Sequence, residues 1–168
     1  MTTRNALIVG ATGLVGEFCL QALLDDHHYS EVIALVRKPL LKTHRKLKTV
    51  VTTFDNLESE LSSIHADDVY CCLGTTIKKA GSREAFKKVD HTLVITVAEL
   101  MKKQGAEQFL VISAMGANKD SKVFYNRVKG EMEAALRELG YPCLRISDHR
   151  YSWDHEKNFV LVKKLLLC

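Results

Sequence analysis

The sequence predicts one parallel, doubly wound α/β sheet. Three observations carry that expectation. An apolar run, Ala6-Leu7-Ile8-Val9, leads into Gly10-Ala11-Thr12-Gly13-Leu14-Val15-Gly16 and then into an amphipathic stretch, which is the order strand, glycine turn, helix. Strand-like and helix-like stretches go on alternating to about residue 146, with no internal repeat and no low-complexity linker. The strand-like runs are continuously apolar, as in Val32-Ile33-Ala34-Leu35-Val36, which suits strands covered on both faces.

The chain has 168 residues, enough for one such domain with a proper core. Its hydrophobic fraction of 46% and charged fraction of 26% are those of a soluble globule. A net charge of +4 is too small to argue for nucleic acid. No apolar run reaches the length of a membrane span. The five cysteines are scattered and form no C-x-x-C pair, so they read as reduced thiols rather than disulfides or a zinc site. With no signal peptide ahead of the glycine turn, the expected compartment is the cytoplasm.

Strand one is expected over Asn5–Val9 and helix one over about 14–25, where Val15, Phe18, Cys19, Ala22 and Leu23 fall on one face. His27, His28 and Tyr29 read as surface residues of the return, not as ligands. Strand two, Glu31–Val36, stops at Arg37-Lys38-Pro39. Strand three runs from about Lys48 to Thr53 and a short helix from Asn56 to Ser62. Strand four, Asp68–Leu73, ends at Gly74-Thr75-Thr76. One long helix is expected from near Ser82 to Gly105, with Phe86, Val89, Leu93, Val97 and Leu100 facing inward. Asp90 beside that face either reaches the site or stays solvated. Strand five, Gln108–Ile112, ends in Ser113-Ala114-Met115-Gly116. A polar loop over 117–122, a helix from about Val123 to Leu139 and strand six, Pro142–Ile146, complete the alternation.

The glycine turn is built for a diphosphate. Backbone N–H groups and the positive end of helix one converge there. Gly10 permits the tight exit from the strand, Gly13 lets the backbone approach the phosphates, and Gly16 lets the helix pack on the sheet. At the end of strand two an acid would accept from a ribose 2′-hydroxyl, whereas an arginine matches a 2′-phosphate. Arg37, with Lys38 adding charge, therefore points to NADP. At the end of strand four, Gly74 leaves room for the cofactor and the threonine hydroxyls of Thr75 and Thr76 can bond to it.

A second constellation lies further on. Ser113 ends strand five, and Tyr125 and Lys129 are one turn apart on the following helix, on one face. A phenol titrates near 10, too high to exchange protons readily at neutral pH, and an ammonium beside it lowers that value. Lys129 is expected to do so and to bond the nicotinamide ribose. Ser113 would hold a substrate oxygen while Tyr125 gives it a proton.

Gly10–Gly16, Cys72-Leu73-Gly74-Thr75-Thr76, Ser113 and Tyr125-x-x-x-Lys129 resemble the short-chain dehydrogenase/reductase superfamily and its Rossmann fold. The run to Ile146 is similar to its atypical branch, related to the Tat-interacting-protein type of oxidoreductase, and Cys72–Asp90 is the most specific part of that match. The resemblance implies that Thr12, Gly13, Leu14 and Val15 bind the NADP diphosphate, that Arg37 and Lys38 meet the 2′-phosphate, that Leu73 and Gly74 line the cofactor, and that Tyr125 is the proton donor beside Lys129.

The sequence departs from that family in two places. Thr53 stands before Phe54 where the family carries an acid near the adenine. After a domain spanning 1–146, residues 147–168 replace the family's Arg-Pro loop, last strand and small substrate lobe, as a frameshifted or truncated reading frame would. His149 and His155 in that tail read as solvated residues. The closing apolar decamer fills the place of the last strand, pairs with a second subunit or protein partner, or stays sticky. Three functions stay open: an NADP-dependent oxidoreductase on an unknown small-molecule carbonyl or alcohol, limited by the shortened C-terminus; an NADPH sensor that regulates a partner; and a nucleotide-sugar epimerase or dehydratase.

Overall fold

The computed structural model describes residues 3–147. The expectations for the tail, including His149, His155 and the apolar decamer, lie outside the described residues. In chain order the elements are β1 (Arg4–Val9), α1 (Leu14–Asp25), β2 (Tyr29–Val36), β3 (Leu47–Val51), α2 (Leu57–Leu61), β4 (Asp68–Cys71), α3 (Ile77–Ala80), α4 (Arg83–Lys87), a π-helical turn (Lys88–Thr92), α5 (Leu93–Lys103), β5 (Gln108–Ile112), α6 (Phe124–Glu138) and β6 (Cys143–Ser147).

The six strands form one sheet in the order β3-β2-β1-β4-β5-β6, and every pairing is parallel. This is the doubly wound fold that the sequence predicts. Alternate residues of each strand feed two cores because successive side chains point to opposite faces. Leu7 and Val9 join α2, α5 and α6 through Leu61, Val97, Met132 and Leu136. Ala6 and Ile8 join α1 through Val15, Cys19 and Leu23. Full burial of a side chain such as Leu23 is worth roughly 1.5–3 kcal/mol, which is what holds α1 to the sheet.

Two expectations are corrected and one element is added. Tyr29 is not a surface residue: it opens β2, is 6% exposed, and its hydroxyl donates to Asp68 at 2.7 Å and meets the Tyr70 hydroxyl at 2.7 Å. Residues 77–80 form a helical turn capped by Thr76, whose hydroxyl accepts from the Lys79 amide. The expected long helix is broken into α4, the π turn and α5. Ser82 caps it and Gly105, at φ +93°, closes it, as the sequence implies. The π turn holds more residues per turn than an α-helix, so the inward stripe advances by one position. Phe86 and Val97 are buried in the core and Leu93 and Leu100 pack against it half-buried, as expected, while Val89 and Leu93 border the cleft and the fully buried places go to Asp90, Val94, Ala98 and Met101.

Candidate functional site

Strand order reverses at β1, which lies between β2 and β4. The connections after β1 and β4 diverge to opposite faces there and leave a crevice at the carboxyl ends of the strands. Gly10 sits at that point with φ +84°. A Cβ on it would lie 2.6 Å from the Cys72 carbonyl carbon and 2.8 Å from the Leu73 nitrogen, so only glycine lets β1 turn so close to the β4 exit. Gly13 donates to Gly10 O at 3.2 Å and is the N-cap of α1. At Gly16 the close neighbour is the turn: a Cβ there would stand 2.0 Å from Gly10 O, so the glycine lets α1 sit against the turn while the rest of the helix packs on the sheet. Thr12 and Gly13 are exposed. The Leu14 side chain is 43% exposed and that of Val15 is buried, which leaves their first-turn amides as the groups a ligand can use.

The turn floors a cleft of about 580 Å³. Leu73, Gly74 and Thr75 form one wall, and Leu35, Val36, Arg37 and Phe54 form the far end. Arg37 and Lys79 are the charged residues of the lining, and no acid lines it. Lys38 is exposed but does not line the cleft. Two lining residues escape sequence reasoning. Phe54 has φ +64°, the left-handed region that a bulky residue rarely adopts. Its amide donates to the Thr52 hydroxyl at 2.8 Å, and the Thr52 hydroxyl in turn bonds to Glu60. Residue type gives no sign of that conformation. Lys79 enters because Thr76 starts a helical turn, and the polar cap at 76 was its one signal. The cradle and its cations fit the phosphates of a dinucleotide.

Behind the Gly74–Thr75 wall stands the second constellation. The Thr75 amide donates to Asp90 Oδ2 at 2.9 Å, and Asp90 Oδ1 lies 2.7 Å from Lys129 Nζ, with side chains 1% and 4% exposed. Gly10, Leu73, Thr75, Asp90 and Lys129 therefore form a continuous chain of contacts from the glycine turn to α6. The Tyr125 ring packs on Phe86 with centroids 5.3 Å apart. Its hydroxyl has no hydrogen-bond partner among the described residues and is free to meet a ligand.

Two expectations about this group are corrected. Lys129 does not lower the Tyr125 pKa: burial raises it, and the charge of Asp90 pushes the same way, because the ammonium is already engaged by that carboxylate. Burial likewise raises the Asp90 pKa against the opposing pull of Lys129. Ser113 is 3% exposed and its hydroxyl donates to Glu133 Oε1 at 2.5 Å, two turns along α6 from Tyr125. The serine thus follows the inward face of β5 under α6 and already has an acceptor. Elsewhere, Asp26, His27 and His28 bring ligand-type atoms within 4.8 Å on an exposed turn, where a 2.7 Å imidazole–carboxylate contact holds His28 to Asp26.

Comparison with known proteins agrees with this fold. Residues 10–149 match the model of the family described as NAD(P)H-binding. Protein HTATIP2 of Rattus norvegicus is 34% identical over 150 residues, 87% of this chain and 62% of that protein. The mitochondrial protein FMP52 of Eremothecium gossypii is 35% identical over 137 residues, covering 82% and 61%. The chain thus spans about three fifths of the length of these relatives. Among solved structures, the Bordetella bronchiseptica enzyme WbmG in complex with NAD and UDP superposes with a TM-score of 0.71 at 17% identity, over 87% of this chain and 53% of that one. The Thermotoga maritima UDP-glucose 4-epimerase with UDP-glucose gives 0.68 at 17% identity, over 84% and 54%. At such identity these two establish the fold alone. No helix among the described residues is long and apolar enough to cross a membrane.

Proposed function

The chain belongs to the NAD(P)H-binding family, and on that premise we propose that it is an NADP-dependent oxidoreductase acting on a small carbonyl or alcohol. The observation that carries the choice of NADP is the charge of the cleft lining: two cations, Arg37 and Lys79, and no carboxylate. Discrimination in favour of a ribose 2′-hydroxyl calls for an acid near the end of β2. An arginine there offers a planar fork to a 2′-phosphate instead. Gly10, Thr12, Gly13, the amides of Leu14 and Val15, and the backbone of Leu73, Gly74 and Thr75 would hold the dinucleotide, with Gly16 keeping the turn in place. Lys38 supplies charge near the 2′-phosphate without lining the cleft.

The nicotinamide, when bound, supplies hydride. Tyr125 gives its phenolic proton to the substrate oxygen, from a hydroxyl that no described residue occupies. Lys129 fixes the wall behind it. Ser113 serves the substrate oxygen only if its hydroxyl turns away from Glu133. That engaged serine and the neutralised lysine favour one second reading, an NADPH sensor that binds without turnover. The free thiols of Cys19, Cys71, Cys72 and Cys143 support a reducing compartment, cytoplasmic or, as the FMP52 names would have it, mitochondrial.

The test is titration with NADPH and NADH on the wild type and on Arg37→Ala. NADPH is expected to bind about ten- to a hundredfold more tightly, as one charge-assisted contact is worth, and the substitution should abolish the preference. Equal affinities in the wild type would refute the assignment of Arg37. NADPH oxidation against a carbonyl panel separates enzyme from sensor. In the enzyme, Tyr125→Phe removes turnover and leaves NADPH binding nearly intact; unchanged turnover rules out the proton-donor role.

A further inference from the structure

The turn that joins α1 to β2 gathers metal-ligand side chains at the amino ends of the strands, away from the cleft at the carboxyl ends. Asp26, His27 and His28 each offer one ligand atom, and these atoms lie within 4.8 Å of one another. Only these three residues separate Asp25, the last of α1, from Tyr29, the first of β2. The backbone is fixed at three points: Asp26 N donates to Ala22 O at 3.0 Å, Arg4 N donates to His28 O at 3.0 Å, and Lys46 Nζ donates to Asp26 O at 2.7 Å. Asp26 Oδ1 accepts from the His28 amide at 2.9 Å and meets His28 Nδ1 at 2.7 Å. The His27 and His28 rings stack with centroids 4.4 Å apart, and both residues are exposed.

The electrostatics of the turn favour a cation. It receives the carboxyl end of α1, whose unsatisfied carbonyls carry partial negative charge, and no basic residue stands in the last turn of that helix. Asp25, held by Gln21 Nε2 at 2.9 Å, adds a second carboxylate beside Asp26. Lys46 brings one ammonium, turned to the Asp26 carbonyl and not to the carboxylates. The donor set also chooses among cations. Imidazole nitrogens suit zinc and its first-row neighbours, whereas magnesium and calcium take oxygen. Zinc holds such ligands at about 2.0–2.2 Å in a tetrahedron, which sets their atoms about 3.4 Å apart. The three atoms here need to close by at most about 1.4 Å, which rotation of two exposed rings supplies with the backbone in place.

We propose that Asp26, His27 and His28 bind one borderline divalent metal ion such as zinc, with water completing its coordination. The ion clasps the end of α1 to the start of β2. The site uses none of the cleft residues, so it stands or falls separately from the oxidoreductase reading.

Zinc titration of the full chain against a chromophoric chelator counts the ions bound. The wild type is compared with His27→Gln and with His27→Gln/His28→Gln, so zinc taken by thiols or by other histidines cancels. The wild type is expected to hold one equivalent more than the double variant. His27→Gln should weaken that equivalent about tenfold or more, since loss of an outer-shell partner alone costs about 10–100-fold. Equal stoichiometry and affinity in wild type and double variant overturn the proposal. If the double variant does not fold, His27→Gln decides alone, because it removes only an exposed ring stacked on His28. Nitrogen-15 spectra of the histidine rings give a second reading. The signals of residues 27 and 28 should both move with zinc, and Asp26→Asn should require more zinc for the same shift. Shifts confined to other histidines overturn the proposal. So does calcium moving the same two rings to the same extent, since that response needs only a field of negative charge.

Discussion

Gly16→Ala tests whether the glycine turn and α1 form one unit. The added Cβ would meet Gly10 O at 2.0 Å, Gly10 C at 2.8 Å and the Ala11 Cα at 3.0 Å. All three are backbone atoms of the turn, so no side chain can rotate away. Relief needs a shift of about 1 Å in the turn or the helix, set by the closest approach that real Cβ atoms make. Overpacking of this kind costs about 1–3 kcal/mol, and a backbone-on-backbone contact belongs at the upper end. The helix gains about 1 kcal/mol from replacing glycine by alanine, which leaves a net loss of about 2 kcal/mol. The shift falls on the amides that would hold the diphosphate. Losing one charge-assisted bond, about 1.5–3 kcal/mol, weakens dinucleotide binding about ten- to a hundredfold. Urea denaturation reads the first effect as a lower midpoint at constant slope, and titration followed by nicotinamide fluorescence reads the second. Gly13→Ala is the control for packing: its Cβ would lie 3.6 Å from Gly10 O, an ordinary contact, at φ −83°. That variant should keep its urea midpoint and lose affinity only. If Gly16→Ala retains both midpoint and affinity, the close approach of helix and turn does not exist and the reasoning fails.

Two further outcomes concern stability. Burial raises the pKa of Tyr29, Tyr70 and Tyr141 above the ordinary phenol value. In the unfolded chain these groups release their protons near 10, so above that pH the native state binds more protons than the unfolded one and stability falls as pH rises. Melting temperatures should be level from pH 8 to about 9.5 and drop beyond; a level series through pH 11 contradicts the burial of these phenols. Asp68→Ala removes the acceptor shared by Arg4 Nε at 2.9 Å and the Tyr29 hydroxyl at 2.7 Å. Arg4 is 38% exposed and keeps Glu107, and the buried Tyr29 hydroxyl keeps only the Tyr70 hydroxyl in place of two partners, so the cost should be about 1–2 kcal/mol. The network lies at the amino ends of β1, β2 and β4, away from the cleft. Dinucleotide affinity should therefore not change, and a loss beyond about threefold would count against this separation of the sheet's two ends.

The legible parts of the sequence were those in which the covalent chain itself imposes the answer. Gly10 marks a backbone that must turn against another strand, and continuous runs such as Val32–Val36 mark strands with two buried faces. Ser82 and Gly105 mark helix ends because a cap and a left-handed residue are local requirements. These fix the strand–turn–helix alternation, and through it the doubly wound sheet and the place of the cleft. Arg37 was readable because its position follows from the end of β2 alone.

What the tertiary structure decided depends on which groups meet across elements. Helical periodicity put Val89 on the inner face, where it borders the cleft, but it did not decide that the carboxylate of Asp90 next to it would be buried. Tyr125 and Lys129 share a helix face in any helix. Whether the ammonium lowers the phenol's pKa depends on its nearest opposite charge, and Asp90 comes from an element more than thirty residues away. Ser113 stands at a strand end in the sequence, yet its hydroxyl turns under α6 to Glu133. Phe54 and Lys79 reach the cleft through a backbone angle and a short helical turn that residue type does not announce. The sequence by itself determined where the cleft opens, since backbone geometry follows from local residue choice. The charge state of the groups beside it was left to the fold, because electrostatic partners are set by distance in space and not by separation along the chain.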